Sequence, residues 1–233
     1  MKVLIAAPLR QDPKIFREYQ ESLDRLELPD GCTADRFFIV NDCPDVIPDI
    51  RDAEWVEYNS DNVTIYHNHL WTGDLVSRVG EYRNMTIKKA LAGGYDYLLS
   101  ADTDLVLHQE TLKVLLGTGK DIVAELFWTN GWSNAWMYDQ ADGYDPKWEK
   151  PGLYRIGGSG ALILISRKVL EAGVDYTPIP NIRKAVFGED RHFCIRAVCA
   201  GFELWADSHA PPIHLYTEKE YQAYMMRKGL STC

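Results

Sequence analysis

The sequence predicts an α/β fold, a mostly parallel central sheet covered by helices on both faces and contained in one domain. Three observations predict it. Short, continuously apolar stretches alternate with segments whose apolar residues recur every three or four positions. The apolar stretches lack polar alternation, which is the pattern of strands covered on both faces. Gly, Pro, Asp and Asn punctuate the joins, and no repeat, linker or low-complexity segment divides the 233 residues.

Taken in order, Val3–Ala7 is the first strand. Asp12-Pro13 supplies a cap and a first-turn proline for a helix burying Ile15, Phe16, Tyr19, Leu23 and Leu26, which ends at Pro29-Asp30-Gly31. Phe37–Val40 is a second strand stopping at Asn41-Asp42, and Trp55–Tyr58 a shorter third. Asp74 caps a long helix with Leu75, Val76, Val79, Tyr82, Ile87, Ala90 and Leu91 on one side, closed by Gly93-Gly94. Tyr95–Leu99 is the next strand and leads directly to Asp102-Thr103-Asp104. A helix (Thr111–Leu116), a strand (Ile122–Phe127), a strand (Ala161–Ile165) and a short helix ending near Gly173 follow. After a loop at Pro178–Pro180 come a helix (Glu189–Ala200) and a last strand (Phe202–Trp205). Residues 128–154 have no regular period, yet hold Trp128, Trp132, Trp136 and Trp148, four of the seven tryptophans, with Tyr138, Tyr144 and Tyr154. Such a segment fits either an irregular flap packed on the sheet or a platform for sugar rings.

Composition narrows the function. With 46% hydrophobic and 25% charged residues the chain is a packed globular protein, and 25 basic against 34 acidic residues give a net charge of −9. No nucleic-acid partner is indicated, because phosphate backbones and anionic membranes both select basic surfaces. No run approaches the ~18 apolar residues of a membrane span, and the apolar start is too short for a signal peptide. Five cysteines without a CxxC pair predict reduced thiols and a cytoplasmic location, with Cys194 and Cys199 on a buried helix.

Four groups of residues carry candidate chemistry. Asp102 and Asp104, two positions apart after a hydrophobic strand, can aim two carboxylates at one hard divalent cation, Mg²⁺ or Mn²⁺. The carboxyl edge of a parallel sheet is also where open α/β folds bind ligands; a solvated acidic loop is the plainer alternative. Arg83, on the helix feeding that strand, can reach a diphosphate from the side opposite the metal, or pair with Glu81 or another acid. In Phe187-Gly188-Glu189-Asp190-Arg191-His192, the acids suit a helix start, and either can also supply a general base. His214 can return to the metal as a neutral imidazole ligand or serve structure alone. His67-Asn68-His69 lacks further ligand spacing and reads as a loop or edge strand.

These elements in this order resemble the GT-A-fold glycosyltransferases, within them the family 2-like enzymes that use nucleotide-sugar donors. The resemblance runs from a strand entering Ala6-Ala7-Pro8-Leu9-Arg10, through Ile39-Val40-Asn41-Asp42, Arg83-Asn84 and Leu98–Asp104, to Gly157-Gly158-Ser159-Gly160-Ala161 and Gly188-Glu189-Asp190. It implies a Rossmann-type α/β/α sandwich with a nucleotide-sugar-binding half (about 1–105), an acceptor and catalytic half (about 106–216) and a tail (217–233). It further implies a donor site of Pro8, Arg10, Asp42, Arg83 and Asp102, and a metal site of Asp104 and His214 with Asp102 bridging to the metal or holding the ribose. Mn²⁺ or Mg²⁺ is the implied cofactor. Asp190 is the implied base of an inverting transfer, with Glu189 as substitute; a retaining mechanism follows if neither reaches the acceptor. Trp132, Trp136, Gly158 and Ser159 are the acceptor-side residues, for a glycan, glycoconjugate or other hydroxyl acceptor. Uridine is the implied base.

The sequence departs from that pattern at Cys43-Pro44 after Asp42, in the aromatic segment and around Phe187. The lack of a membrane-anchoring segment argues against a processive synthase. Two rivals have different requirements. A haloacid-dehalogenase-like phosphatase would use Asp102 as nucleophile and Asp104 as general acid, with the motif on its first strand. A non-catalytic carbohydrate-binding protein would need the tryptophans but neither Arg83 nor Asp190. A nucleotidyltransferase would want a glycine- and lysine-rich N-terminal loop, which is absent.

Overall fold

The apolar stretch near the N-terminus forms β1 (Lys2–Leu9), whose residues alternate between two cores because successive side chains leave a strand on opposite faces. The computed structural model describes residues 1–59, 73–137, 150–182 and 188–229. After β1 come α1 (Pro13–Asp24), β2 (Thr33–Asn41), β3 (Glu54–Tyr58), α2 (Gly73–Ala92), β4 (Tyr97–Ala101), β5 (Leu105–Val106), α3 (Thr111–Gly117) and β6 (Ile122–Glu125). Short strands β7 (Trp128–Thr129), β8 (Trp132–Ser133) and β9 (Ala135–Trp136) follow, then β10 (Leu153–Arg155), β11 (Gly158–Ser159), β12 (Leu162–Ser166) and α4 (Arg167–Glu171). The chain ends through α5 (Asp190–Cys199), β13 (Trp205–Asp207), β14 (Ile213–His214) and α6 (Glu218–Arg227).

Eight strands form the main sheet in the order β10-β13-β6-β12-β4-β1-β2-β3. The pairs β1·β2, β2·β3, β1·β4 and β6·β13 are parallel, whereas β12 is antiparallel to β4 and β6, and β10 to β13. Six strands therefore end on one edge, where β12 begins. That edge carries the DxD turn.

One core holds Leu4, Ala6, Tyr82, Ile87, Leu170 and Phe193, placing α2, α4 and α5 on one face. The other holds Val3, Ile5, Phe16, Tyr19 and Leu115, placing α1 and α3 opposite. The predicted α/β/α architecture with a mostly parallel sheet is what forms. Among the described residues no helix is long and apolar enough to cross a membrane.

The caps follow from the residues. Asp12 accepts the Lys14 N–H at 2.9 Å, and Pro13 occupies the first turn of α1. Several boundaries differ from the sequence reading. β4 starts at Tyr97, because Tyr95 completes the turn after α2 and donates its hydroxyl to Asp35. β12 starts at Leu162, because Ala161 takes a left-handed φ of 68° that ends regular pairing. β13 occupies Trp205–Asp207 rather than Phe202–Trp205, and Leu26 lies past the end of α1, only partly buried. Cys194 is buried as expected, but Cys199 is exposed. The tail contains a helix, α6, whose Tyr221 packs with Ile15, Val106 and Leu215.

Among its described residues the aromatic flap contains short strands. β7 and β8 form a hairpin pairing Trp128 with Ser133 and Thr129 with Trp132. Asn130 and Gly131 turn it with φ of 50° and 86°, the positive values that a tight two-residue hairpin turn requires. Tyr138, Tyr144 and Trp148, the His67–His69 pair and Phe187 lie outside the described residues.

Candidate functional site

At the end of β4 the chain turns because the Asp102 N–H donates to Ala161 O (2.7 Å) and the Leu105 N–H to Asp102 O (3.3 Å). Thr103 is buried beneath the turn, and its two neighbours carry the carboxylates. The return of the chain from β13 is fixed by a small ladder, β14 against β5, with His214 opposite Leu105, and by the Leu215 N–H donating to Asp104 O at 2.8 Å. This brings His214 Nε2 to 3.2 Å from Asp104 Oδ2, across 110 residues of sequence. Burial lowers the imidazole's pKa, but the hydrogen bond and charge of Asp104 outweigh it and leave the group above its ordinary value.

Arg83 is the hub of the site. The buried stripe of α2 runs through Val76, Gly80, Arg83, Ile87 and Ala90, so the arginine lies on the core face of its helix. Its Nε donates to Glu189 Oε1 (2.7 Å), Nη1 to Ser100 Oγ (2.6 Å) and Nη2 to Asp102 Oδ1 (2.8 Å). The side chain is only 3% exposed. The sequence reading left this guanidinium either on a diphosphate or paired with an acid; in the structure its three nitrogens face protein acceptors, with Glu189 and Asp102 as the acids rather than Glu81. Arg83 thereby joins the DxD strand to the start of α5.

Asp190, on the first turn of α5, lies against the backbone of Gly160. A Cβ on Gly160 would sit 2.0 Å from Asp190 Oδ2. Asp190 Oδ1 is buried without a hydrogen-bond partner among the described residues. Burial, with Glu189 and Asp102 adding and Arg83 opposing, holds its pKa well above the usual carboxylate range. Burial also raises Asp102 to about 6; Arg83 opposes the rise, and Asp104 and Glu189 add to it. Glu189 is 2% exposed and committed to Arg83.

The remaining expected residues fall on the same edge. Pro8 pairs with Ile39 one residue before the end of β1, and Arg10 follows the strand with Nη2 buried and without a partner among the described residues. Asp42 closes β2 at φ 52°, accepts Asn41 Nδ2 at 2.9 Å and faces Arg78 at 3.8 Å. On the other side, Trp132 is 80% exposed, while Trp136 packs on the core over Gly158, where a Cβ would meet the indole at 2.2 Å. Ser159 is buried, and its hydroxyl donates to Asn134 O at 3.1 Å rather than facing outward.

The sequence reading quoted Ser100 and Gly160 within motifs without giving them roles, and missed Asn134 and Thr129. Asn134 Nδ2 donates to Glu125 O (3.0 Å), Ser159 Oγ (3.2 Å) and Gly160 O (3.1 Å), tying the tryptophan segment to the strand edge. Thr129 Oγ1 lies 2.6 Å from His214 Nδ1. The Asn130-Gly131 dipeptide was the available signal for the hairpin that places Thr129.

Among the described residues no group of three or more His, Cys, Asp or Glu side chains is assembled as a metal centre. The donor set nevertheless suits a hard cation. A carboxylate and an imidazole meet at Asp104 and His214, and the three acids Asp102, Glu189 and Asp190 gather around the guanidinium of Arg83.

No protein-family model matches the chain, and no curated protein matches it. Among solved structures it is similar to residues 1–349 of S. aureus TarS, with 13% identity and a TM-score of 0.60 over 97% of this chain and 63% of that one. It is similar to the same fragment in complex with UDP, with 15% identity and a TM-score of 0.59 over 91% and 59% of the two chains. The mannosyltransferase PcManGT from Pyrobaculum calidifontis, in complex with GDP-Man and Mn²⁺, gives 10% identity and a TM-score of 0.57 over 97% and 60%. The fold is GT-A. This chain spans about three fifths of the length of each of these structures. The phosphatase alternative needed its acidic motif on the first strand; here the motif follows β4 of a GT-A sheet.

Proposed function

We propose that this chain is a metal-dependent glycosyltransferase that moves a sugar from a nucleoside diphosphate sugar, a UDP-sugar by preference, to an acceptor hydroxyl with inversion. The observation that carries this reading is the meeting of Asp104 with His214 beside the Arg83–Asp102–Glu189 network and Asp190, on the carboxyl edge of the sheet. The UDP complex of TarS and the GDP-Man and Mn²⁺ complex of PcManGT support the donor class and the cofactor.

In this reading Asp104 and His214 hold Mn²⁺ or Mg²⁺, with Asp102 adjacent. The cation supplies Lewis-acid stabilisation of the leaving diphosphate. Arg83 acts as a positioning residue, holding Asp102 and Glu189 in a fixed frame. Arg10, with a buried nitrogen that has no partner among the described residues, contacts the donor, and Pro8 and Asp42 border the nucleoside. Asp190 takes the proton from the acceptor hydroxyl as that oxygen attacks the anomeric carbon. Its Oδ1, buried without a partner among the described residues, is the atom that receives that proton. Trp132 and Trp136 face the acceptor, with Gly158 and Ser159 shaping the wall behind them. A cytoplasmic location belongs to this reading, supported by the free thiols of Cys32, Cys43, Cys194 and Cys199.

The test is calorimetric titration of UDP, GDP and CDP, each with and without Mn²⁺, into the wild type and Asp104→Ala. Mn²⁺-dependent binding of one nucleotide, lost in the variant, is the expected result. No binding in either condition would sink the transferase reading.

A further inference from the structure

The hairpin β7–β8 meets the site through one side chain. Thr129 Oγ1 stands 2.6 Å from His214 Nδ1, and the other ring nitrogen stands 3.2 Å from Asp104 Oδ2. The ring is also held edge-on by Phe127, with centroids 5.2 Å apart, and its side chain is 13% exposed. Among the described residues, each nitrogen of a largely buried imidazole thus has a polar neighbour, on opposite sides of the ring. We propose that Thr129 is a positioning residue for His214: its hydroxyl holds Nδ1 in either tautomer, so that Nε2 can donate to Asp104 or offer a lone pair to a cation.

The argument is one of proton placement. Without a cation the Asp104 carboxylate can only accept, so His214 Nε2 carries a proton toward it. In the neutral ring Nδ1 is then an acceptor, and the Thr129 hydroxyl donates to it. For Nε2 to offer a lone pair to a cation, the proton must reside on Nδ1, and the same hydroxyl must accept. A hydroxyl does both by rotating about its C–O bond; a methyl does neither. Partners of this kind on the far nitrogen of a metal-binding histidine fix its tautomer and its orientation. The hairpin adds a second consequence. Thr129 lies directly opposite Trp132, so their side chains share one face, and the exposed indole stands on the face that meets His214.

The inference rests on the metal-dependent reading, so its test separates the two. Mn²⁺ affinity is measured by electron paramagnetic resonance of the free ion, with and without UDP, on wild type, Thr129→Val, Thr129→Ser and His214→Ala. The ring nitrogens of His214 are observed by ¹⁵N NMR without metal, with the ring neutral. Thr129→Val should weaken Mn²⁺ binding about 10- to 100-fold, Thr129→Ser should restore it, and His214→Ala should abolish it. The wild-type ring should be the Nε2–H tautomer with a hydrogen-bonded Nδ1, and in the Val variant the Nδ1 signal should move to the position of a free acceptor. Unchanged Mn²⁺ affinity and unchanged nitrogen shifts in Thr129→Val overturn the proposal, as does failure of Ser to rescue. If the wild type takes up no Mn²⁺ even with UDP, the metal reading fails, and the nitrogen spectra alone then decide whether Thr129 holds Nδ1.

Discussion

Gly160→Ala isolates the role of Asp190 with a single methyl group. The backbone of Gly160 is outside the left-handed region, so alanine suits its conformation. The obstacle is contact: the new Cβ would lie 2.0 Å from Asp190 Oδ2 and 2.6 Å from its Cγ. Carbon contacts settle at about 3.5–4.0 Å, so the carboxylate must retreat by roughly 1 Å or rotate away. Because the yielding atoms are the end of a side chain, the stability cost should stay at about 1–3 kcal/mol. Misplacing a reacting group by that distance costs about 10²-fold in rate. The assay is release of nucleoside diphosphate from the donor that calorimetry identifies, read as kcat and KM beside the affinity for UDP with Mn²⁺. We expect kcat to fall about 10²-fold while nucleotide affinity holds. Wild-type kcat in Gly160→Ala would refute the assignment of Asp190 as base. A parallel loss of nucleotide affinity would refute it too, by moving the damage to the donor site.

Three other perturbations give distinct readouts. Arg83→Met leaves Glu189 buried without its cation and should destabilise the fold by about 3–5 kcal/mol in urea titration; Arg83→Lys should recover only part, since one ammonium cannot match the planar fork that serves Glu189, Ser100 and Asp102. Glu125 is fully buried; burial chiefly, with Asp207 adding and the Ala210 N–H opposing, raises its pKa from 4.5 to about 8. The folded state therefore keeps a proton that the unfolded state has lost, and this contribution, complete below 4.5, declines as pH rises and is exhausted above about 8. Wild type should lose stability relative to Glu125→Gln across that window with a slope approaching about 1.4 kcal/mol per pH unit, and parallel pH curves for the two proteins would count against it. Gly158→Ala would push its methyl into the Trp136 indole, 2.2 Å from the nearest ring atom, and should cost about 1–3 kcal/mol with a shift in tryptophan emission; unchanged emission would show that the indole does not need that glycine.

The fold was legible because its signals are local and redundant. Continuous apolar stretches such as Val3–Ala7 and Phe37–Val40 need two covered faces, and Asp12-Pro13 marks a helix start whatever lies around it. The antiparallel insertion of β12 was not legible, since Leu162–Ser166 is as apolar as any parallel strand and strand direction leaves no mark on composition. The α6 helix was passed over because it buries one side chain, Tyr221, and its contacts lie on segments remote in sequence.

At the site, sequence reasoning could find charged residues but not the direction in which they face. Arg83 illustrates the limit. An arginine beside Glu81 on an amphipathic helix reads as a surface group, and beside a DxD strand as a phosphate ligand. Its actual place depends on the register of α2. Gly80 lets the helix approach so closely that a Cβ would lie 3.2 Å from Tyr176 O and 3.4 Å from Glu189 Cβ. Position 83, three residues on, lies on the same buried stripe, which gives the guanidinium two carboxylates and a serine hydroxyl in place of solvent. The same burial raises Asp102 and Asp190, because desolvated acids around one guanidinium have too little positive charge to stay ionised at their ordinary pKa.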